Sequence, residues 1–212
     1  MSDILAQSLR LPCGVVLENR LVKAAMTEGL ANPAGVPTAA LDRLYGLWSD
    51  GGAGLLLSGN ILVDGDHLER PGNVIIDQQP NEAMHQALSS WAQTATRKGN
   101  HFWAQISHAG RQTQKVINPH PKAPSAVKMG LPGGQFGEPV ALTVAEIEDI
   151  VRRFGVCAAA VKAAGLTGVQ IHAAHGYLLS QFLSPRTNLR ADQYAGGLAN
   201  RSLALLYCFP IF

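Results

Sequence analysis

Short apolar segments alternate with amphipathic segments along this chain, and this alternation restricts its fold more than any other feature. Residues 54–60 form a continuous apolar run of strand length, which is typical of a strand covered on both faces. Residues 82–97 have the apolar spacing of an amphipathic helix, and residues 101–107 predict the next strand. Strands that alternate with helices in this way favour a parallel sheet with right-handed crossovers.

The same pattern continues on both sides of this central part. Residues 41–48 have helical spacing, and Thr143 with Glu146 three residues later forms a capping box that predicts a helix reaching about residue 164. An apolar run at 21–25 and an alternating segment that begins at Val169 predict two further strands. The chain therefore contains about four or five strand and helix units.

Polar side chains follow the carboxyl end of each predicted strand. In a parallel α/β fold these ends meet at one rim, which is the catalytic face of a TIM-type barrel. A closed barrel needs eight strands, so the sequence predicts an α/β fold of the TIM (β/α)8 type that is present only as an incomplete portion. A Rossmann fold is less favoured because no G-x-G-x-x-G follows a predicted strand. The rim residues are Met26, Thr27, Asn60, Gln105, His108, His172 and His175.

The segment that begins at Val169 carries the richest chemistry. Two imidazoles, His172 and His175, can both hydrogen-bond one carbonyl oxygen or oxyanion, and the Tyr177 phenol can supply a proton. The residue types alone leave two alternatives open, a pair of structural histidines at a strand end and a pair of metal ligands. No Asp or Glu lies in residues 169–185 to complete a ligand set, so we expect no metal here.

Composition excludes several other functions. Apolar residues make up 47% of the 212 residues and charged residues 15%, which indicates a globular core. A net charge of +2 without a basic run gives no support to nucleic-acid binding, and no apolar run is long enough to span a membrane. Three scattered cysteines and the absence of a secretory signal at the N-terminus predict a reducing, cytoplasmic location.

Four segments, taken in order, resemble the old yellow enzyme family, the FMN-dependent NADH:flavin oxidoreductases and ene-reductases. The similarity covers roughly residues 4–206, the N-terminal part of the family's FMN-binding barrel. The subtype is similar to bacterial 2,4-dienoyl-CoA reductases because of the sequences at 23–26 and 58–60. The four segments are residues 17–28, 54–60, 104–112 and 169–202.

The resemblance implies that FMN lies across the rim and that NAD(P)H is the reductant. The flavin would contact Ala24, Ala25 and Met26, and Thr27 would hydrogen-bond the flavin carbonyl region. The remaining cofactor-binding residues implied by the resemblance are Asn60 beside the ring, Gln105 at the pyrimidine edge, and His172.

The same resemblance implies the substrate and the reaction. His172 and His175 would hold the carbonyl oxygen of an enone-like small molecule, and Tyr177 would protonate the adjacent carbon. Hydride would pass from NAD(P)H through FMN to the activated C=C bond.

Residues 207–212 depart from this pattern because they are apolar and include Pro210. We therefore divide the chain into a partial FMN-binding TIM-barrel domain, 1–206, and a divergent apolar tail, as in a truncated or frameshifted product. Because the resemblance places the phosphate-binding loops in later strands, a chain of this extent is expected to bind FMN weakly and to reduce enones slowly or not at all. The alternative is a catalytically inactive fragment or interaction module that self-associates through exposed barrel edges.

Other residues of these types are expected to be structural. His108 and Arg111 are predicted to stabilise the rim, and Met84 and Trp91 lie on the buried stripe of a helix. The histidines expected at ordinary surface or helix positions are His67, His85, His101 and His120.

Overall fold

The computed structural model describes residues 4–209. Within them, nine strands are separated by helices and by connecting segments that include two short 3-10 helices. The strands are β1 (Leu9–Arg10), β2 (Val16–Leu17), β3 (Val22–Lys23), β4 (Leu55–Leu62), β5 (Val74–Ile75), β6 (His101–Ser107), β7 (Lys122–Ala123), β8 (Val140–Ala141) and β9 (Gly168–Ile171).

Three long helices lie between successive strands of the central sheet, and three short ones follow β9. The Thr143 capping box is confirmed, since the Thr143 side chain accepts from the Glu146 N–H and the Glu146 side chain accepts from the Thr143 N–H. The helices are α1 (Ala39–Asp50), α2 (Glu82–Ala95), α3 (Val144–Ala163), α4 (Leu178–Leu183), α5 (Leu198–Arg201) and α6 (Leu203–Leu206).

The central sheet is parallel, as the sequence predicts. Its order is β3-β4-β6-β9, with β5 paired to the end of β4, and α1, α2 and α3 connect successive strands. The described residues therefore form an open sheet of strand and helix units, without closing into a barrel. None of the helices in residues 4–209 has the length and apolar character needed to cross a membrane.

The core lies between this sheet and its helices. Tyr45 on α1, Trp91 on α2 and Phe102 on β6 are completely or almost completely buried, and their ring centroids are 5.0–5.1 Å apart. Met84 is also buried, which confirms that the apolar stripe of α2 belongs to the core. Burial of these rings fixes both helices against β6.

The structure differs from the sequence prediction at the strand expected at 21–25 and in the expected apolar tail. The strand expected at 21–25 is reduced to β3, because its pairing with β4 stops at Leu56, one residue before β4 becomes irregular. In the expected apolar tail, Cys208 is fully buried in the core, whereas Tyr207 and Phe209 are exposed. The rest of that tail, 210–212, lies outside the described residues.

Strand β4 contains a bulge that shifts its register against β6. Leu57 pairs with Trp103, but the next pair is Asn60 with Gln105, so β4 carries one extra residue in this interval. The hydroxyl of Ser58 accepts a hydrogen bond of 2.8 Å from the Gln105 N–H and replaces the missing ladder bond. The bulge thus sets Asn60 in register with Gln105.

Gly59, in the same bulge, permits a close approach of the chain that follows β3. A Cβ atom at this position would lie 2.4 Å from the carbonyl oxygen of Met26 and 2.9 Å from the Cα of Thr27. The Gly59 N–H donates to Glu28 and to the Tyr45 hydroxyl, both at 3.2 Å. Tyr45 in turn donates to Glu28. This network anchors the bulge on α1 and on the segment after β3.

We expect Gly59→Ala to destabilise the protein by about 2 kcal/mol or more, because backbone atoms must move to admit the methyl group. Gly130→Ala is the matched control, since a Cβ atom there meets nothing within 4 Å. Urea unfolding followed by circular dichroism measures both variants. Equal unfolding free energies for the two variants would contradict the close approach described here.

Candidate functional site

The carboxyl ends of the parallel strands surround a cavity of about 390 Å³. It contains all nine site residues that the sequence and the resemblance indicate, together with three that they missed. This volume lies within the usual range of small-molecule sites. The lining residues are Ala24, Ala25, Met26, Thr27, Leu57, Asn60, Glu69, Gln105, Gln170, His172, His175 and Tyr177.

Three amide side chains form one row on three neighbouring strands. Asn60 pairs with Gln105 across β4 and β6, and Gln105 pairs with Gln170 across β6 and β9. The Gln105 Nε2 donates to the Gln170 Oε1 at 2.7 Å, which leaves the Gln105 Oε1 as an acceptor and the Gln170 Nε2 as a donor for other partners. Gln170 was missed by the sequence analysis, although its alternation with Val169 and Ile171 was the available signal.

His172 follows β9 and is 6% exposed. Its backbone N–H donates to the Ile106 carbonyl, and its Nδ1 accepts from the Ala174 N–H at 3.3 Å. A neutral imidazole that accepts at Nδ1 carries its proton on Nε2. Burial, and secondly the neighbouring His175, lower the pKa of His172 to about 4. At neutral pH, His172 is therefore an uncharged Nε2–H donor.

His175 is exposed and has a backbone φ of 57°, the only positive value among the non-glycine residues described. The Gln112 Nε2 donates to its carbonyl oxygen at 2.7 Å and holds this turn. The left-handed conformation brings the His175 ring to 5.1 Å from the His172 ring, measured between centroids. The two imidazoles are thus close neighbours at the mouth of the cavity, in a backbone conformation that favours glycine.

We expect His175→Gly to have a higher free energy of unfolding than His175→Ala by about 1 kcal/mol, because only glycine adopts this φ without cost. Both variants lose the imidazole, so the comparison separates backbone strain from side-chain chemistry. Urea unfolding curves supply the two values. An alanine variant as stable as the glycine variant would show that the backbone relaxes here.

Tyr177 stands immediately before α4, with its ring 4.9 Å from that of His172. Burial raises the pKa of the Tyr177 phenol to about 12, and the negative charge of Glu69 adds to the effect. The phenol is therefore protonated at neutral pH. A neutral imidazole donor and a protonated phenol thus lie side by side.

Glu69 is the second polar residue that the sequence analysis missed. One of its carboxylate oxygens accepts from the Thr27 hydroxyl at 2.5 Å and from the Asn60 Nδ2 at 2.8 Å. The expected hydrogen bond from Thr27 to a cofactor carbonyl competes with this contact, since a hydroxyl has one proton to donate. The signal that could have indicated Glu69 is its position in the loop after β4.

A second polar cluster lies outside the cavity and corrects the expectation for His67. His67 and His108 are both buried, with ring centroids 4.6 Å apart, and both face the carboxylate of Asp64. His67 accepts the Lys122 N–H at Nε2, and His108 accepts the Gly110 N–H at Nδ1. His67 is buried because it joins three loops, and His108 stabilises the rim as predicted.

These backbone hydrogen bonds fix the tautomers of the cluster. Each imidazole carries its proton on the nitrogen that faces Asp64, so neither offers a lone pair there to a metal ion. Burial raises the pKa of the Asp64 carboxyl, but the His108 and His67 rings that face it outweigh this effect and hold the pKa well below its usual range. Burial lowers the pKa of His108 to about 4.

We expect the free energy of unfolding to fall as the pH drops from 6.5 towards 4, since the unfolded chain binds a proton at His108 in this range and the folded protein does not. His108 accounts for about 2 kcal/mol of the decrease in the free energy of unfolding between about pH 7 and about pH 4.5. Urea unfolding at the two pH values should show a smaller drop for His108→Gln. The exposed His120→Gln serves as control and should keep the full drop.

Fold and site together define a class of protein. Polar and ionisable side chains gathered at the carboxyl ends of a parallel α/β sheet are the arrangement of TIM-barrel enzymes, here present as an open part of the barrel. The NADH:flavin oxidoreductase / NADH oxidase family matches residues 13–206. The chain belongs to this family.

Individual relatives agree with this assignment. The chain is 39% identical to the NADH-dependent flavin oxidoreductase nadA of Aspergillus parasiticus, over 89% of this chain and 45% of that protein. It resembles the structure of an old yellow enzyme homologue from Zymomonas mobilis with 29% identity and a TM-score of 0.86, over 99% of this chain and 59% of that one. It also resembles the structure of morphinone reductase in complex with tetrahydroNAD, with 28% identity and a TM-score of 0.86, over 99% of this chain and 60% of that one.

The chain spans about half the length of the curated relatives it matches first. The subtype similar to 2,4-dienoyl-CoA reductases is not distinguished by these relatives, and the family as a whole is what the match establishes.

The cavity residues fit the ring system of a flavin. Met26 is 52% exposed and offers an apolar surface at the cavity. The Oδ1 of Asn60 is buried without a hydrogen-bond partner, and the Gln105 Oε1 and the Gln170 Nε2 remain as acceptor and donor for a polar ring edge. None of the described residues that line the cavity is Lys or Arg, so no cationic partner for a phosphate stands there.

Proposed function

We propose that this chain is the part of an FMN-dependent NAD(P)H oxidoreductase that binds the flavin ring and an enone-like substrate. The observation that carries the proposal is the meeting of His172, His175 and Tyr177 in one cavity with Thr27 and Gln105. The family membership supports the cofactor and the reductant. The hydrogen-bond donors in the cavity support the substrate class. The imidazoles suit the carbonyl oxygen of an enone, and the phenol suits the neighbouring carbon, which takes up a proton during the reduction.

The two histidines would hold the carbonyl oxygen of the substrate. His172 contributes an uncharged Nε2–H donor because burial keeps it neutral and the Ala174 N–H occupies its Nδ1. His175 stands beside it in a turn held by Gln112. Hydrogen bonds to this oxygen favour the enolate-like charge that develops as the C=C bond is reduced.

Tyr177 would complete the reduction as the proton donor. Its O–H bond breaks as a C–H bond forms at the carbon next to the substrate carbonyl, and the phenolate left behind regains a proton from solvent. The raised pKa keeps the phenol protonated before the transfer. Its position next to His172 brings the donor close to the end of the substrate that carries the oxygen.

The amide row would bind the polar edge of the cofactor. Gln105 and Gln170 would contact the pyrimidine edge, Asn60 would lie beside the ring, and the segment 24–26 would form the apolar wall. FMN, when bound, supplies the hydride that NAD(P)H delivers to it. In this proposal, residues 1–206 are the partial FMN-binding barrel domain. Its subtype within the family would be the one similar to 2,4-dienoyl-CoA reductases.

The cavity lacks a cation for the FMN phosphate, so we propose that the isolated chain binds FMN weakly and turns over slowly. A second candidate is a non-catalytic barrel fragment that self-associates through its open sheet. The free side of β9 favours it, because no other described strand pairs there. Size-exclusion chromatography distinguishes the candidates, since a monomer at all concentrations would argue against the interaction role.

We expect Gln105→Leu to weaken FMN binding about tenfold, the equivalent of one hydrogen bond lost. Tyr177→Phe should leave FMN binding unchanged while it lowers the rate of NADPH oxidation with cyclohexenone. Quenching of FMN fluorescence and the absorbance of NADPH provide the two readouts. The flavin proposal is wrong if the chain shows no quenching at any FMN concentration, or if Gln105→Leu binds FMN as the unmodified chain does.

A further inference from the structure

The central sheet has an open edge on each side. Among the described strands, β3 pairs only with β4 and β9 pairs only with β6, so each of these strands has one side without a partner strand. Large apolar side chains are exposed at the β3 edge, where Leu21 is 46% and Val22 48% exposed. Open edges leave backbone groups free to pair with another strand. Both edges are therefore surfaces on which a further strand can add.

A groove of about 420 Å³ extends the apolar surface beside β9. Leu166, Gly168 and Val169 line it at the start of β9, and Ala158 and Val161 line it from α3. No residue of β6 takes part in this groove. The β9 edge thus combines an unpaired strand with an uncovered apolar surface, as the β3 edge combines an unpaired strand with exposed apolar side chains.

We propose that two copies of this chain pair edge to edge, β9 of each copy with β3 of the other, and so close one parallel barrel of eight strands. The proposal extends the self-association considered above, because it names the strands that pair and the number of copies. It is also compatible with catalysis, since the assembled barrel keeps the cavity at its rim.

The strand count supports two copies. The parallel path β3-β4-β6-β9 contains four strands, which is half of the eight that a closed barrel needs. The chain likewise spans 53% and 45% of the length of the first two curated relatives, so two copies have about the length of one relative. A second copy therefore supplies the missing strands without any other polypeptide.

The strand directions support pairing of β9 with β3. All four strands of the path are parallel, so a two-fold axis along the barrel brings the carboxyl ends of both copies to the same rim. Two β9 strands paired with each other around a two-fold axis would run antiparallel and would leave both β3 edges open. Only the pairing of β9 with β3 removes every edge.

Closure also adds a wall to the cavity. His172 and His175 follow β9, and Met26 and Thr27 follow β3. When β9 lies beside β3 of the second copy, the segment 24–27 of the second copy stands next to the two imidazoles, on the side that one chain leaves open. Met26 is 52% exposed in one chain and offers apolar surface for this seam. Each site is thus completed by the other copy.

Sedimentation velocity without flavin measures the number of copies. We expect a species of twice the chain mass of 22.5 kDa that does not grow at higher concentration, because a closed barrel has no free edge. Val22→Lys places a charge on the β3 edge and should weaken the association about tenfold or more. Val116→Lys is the matched control, since Val116 is 80% exposed in the loop after β6 and should leave the association unchanged. Circular dichroism verifies that both variants are folded.

Chemical cross-linking identifies the edges that pair. In a Cys13→Ser background the two remaining cysteines, Cys157 and Cys208, are buried. Leu21→Cys and Thr167→Cys each add one thiol at an exposed position, just before β3 and just before β9. A short bismaleimide should link a mixture of the two single variants. It should not link either variant alone, because equal positions of the two copies lie on opposite sides of the closed barrel.

A chain that stays monomeric at all concentrations would overturn the proposal, and so would assemblies of more than two copies. Linkage within the Thr167→Cys variant alone would overturn it as well, since two β9 strands would then pair with each other. A folded Val22→Lys variant that associates as the unmodified chain does would have the same consequence. These measurements use no flavin, so their failure and a failure of the FMN titration are distinguishable.

Discussion

The bulge at Ser58 and Gly59 is the constraint on which the site depends. Without the extra residue in β4, Asn60 would fall out of register with Gln105, and its side chain would turn to the other face of the sheet. Gly59 also brings the chain after β3 into contact with β4, because only a residue without a Cβ atom fits against the Met26 carbonyl. The same irregular segment therefore positions the amide row and the wall that faces it.

Burial sets the chemical state of the cavity residues more than direct pairing does. Desolvation is the main cause of the low pKa of His172 and of the high pKa of Tyr177, so both side chains are uncharged at neutral pH. An uncharged donor pair favours a substrate that is neutral before the reaction and anionic during it. Glu69 adds a negative charge on one side only, where Thr27 and Asn60 neutralise part of it by hydrogen bonds.

The sequence predicted the parallel sheet, the helices and the gathering of polar strand-end residues at one rim, because alternating periodicity and strand-end positions are local signals. Ala24 and Ala25 were indicated by the family resemblance, and His108 was expected at the rim but does not line the cavity. It could not predict Glu69, whose approach to Thr27 and Asn60 depends on how the loop after β4 folds. The burial of His67 was mispredicted for the same reason, since Asp64, His108 and the Lys122 N–H come from separate loops. The roles assigned to individual cavity residues remain proposals of the resemblance and the geometry.

The buried cluster outside the cavity gives the Glu69 loop its fixed path. Asp64 and His67 lie in the same loop, and His67 accepts the Ala109 N–H at its carbonyl and the Lys122 N–H at its ring. Five residues after Asp64 the chain reaches Glu69 at the cavity. Since its start is tied to the loops after β6, the segment has little freedom to move the carboxylate away from Thr27. The hydrogen bonds of this buried cluster thus anchor the loop that carries Glu69 to the cavity.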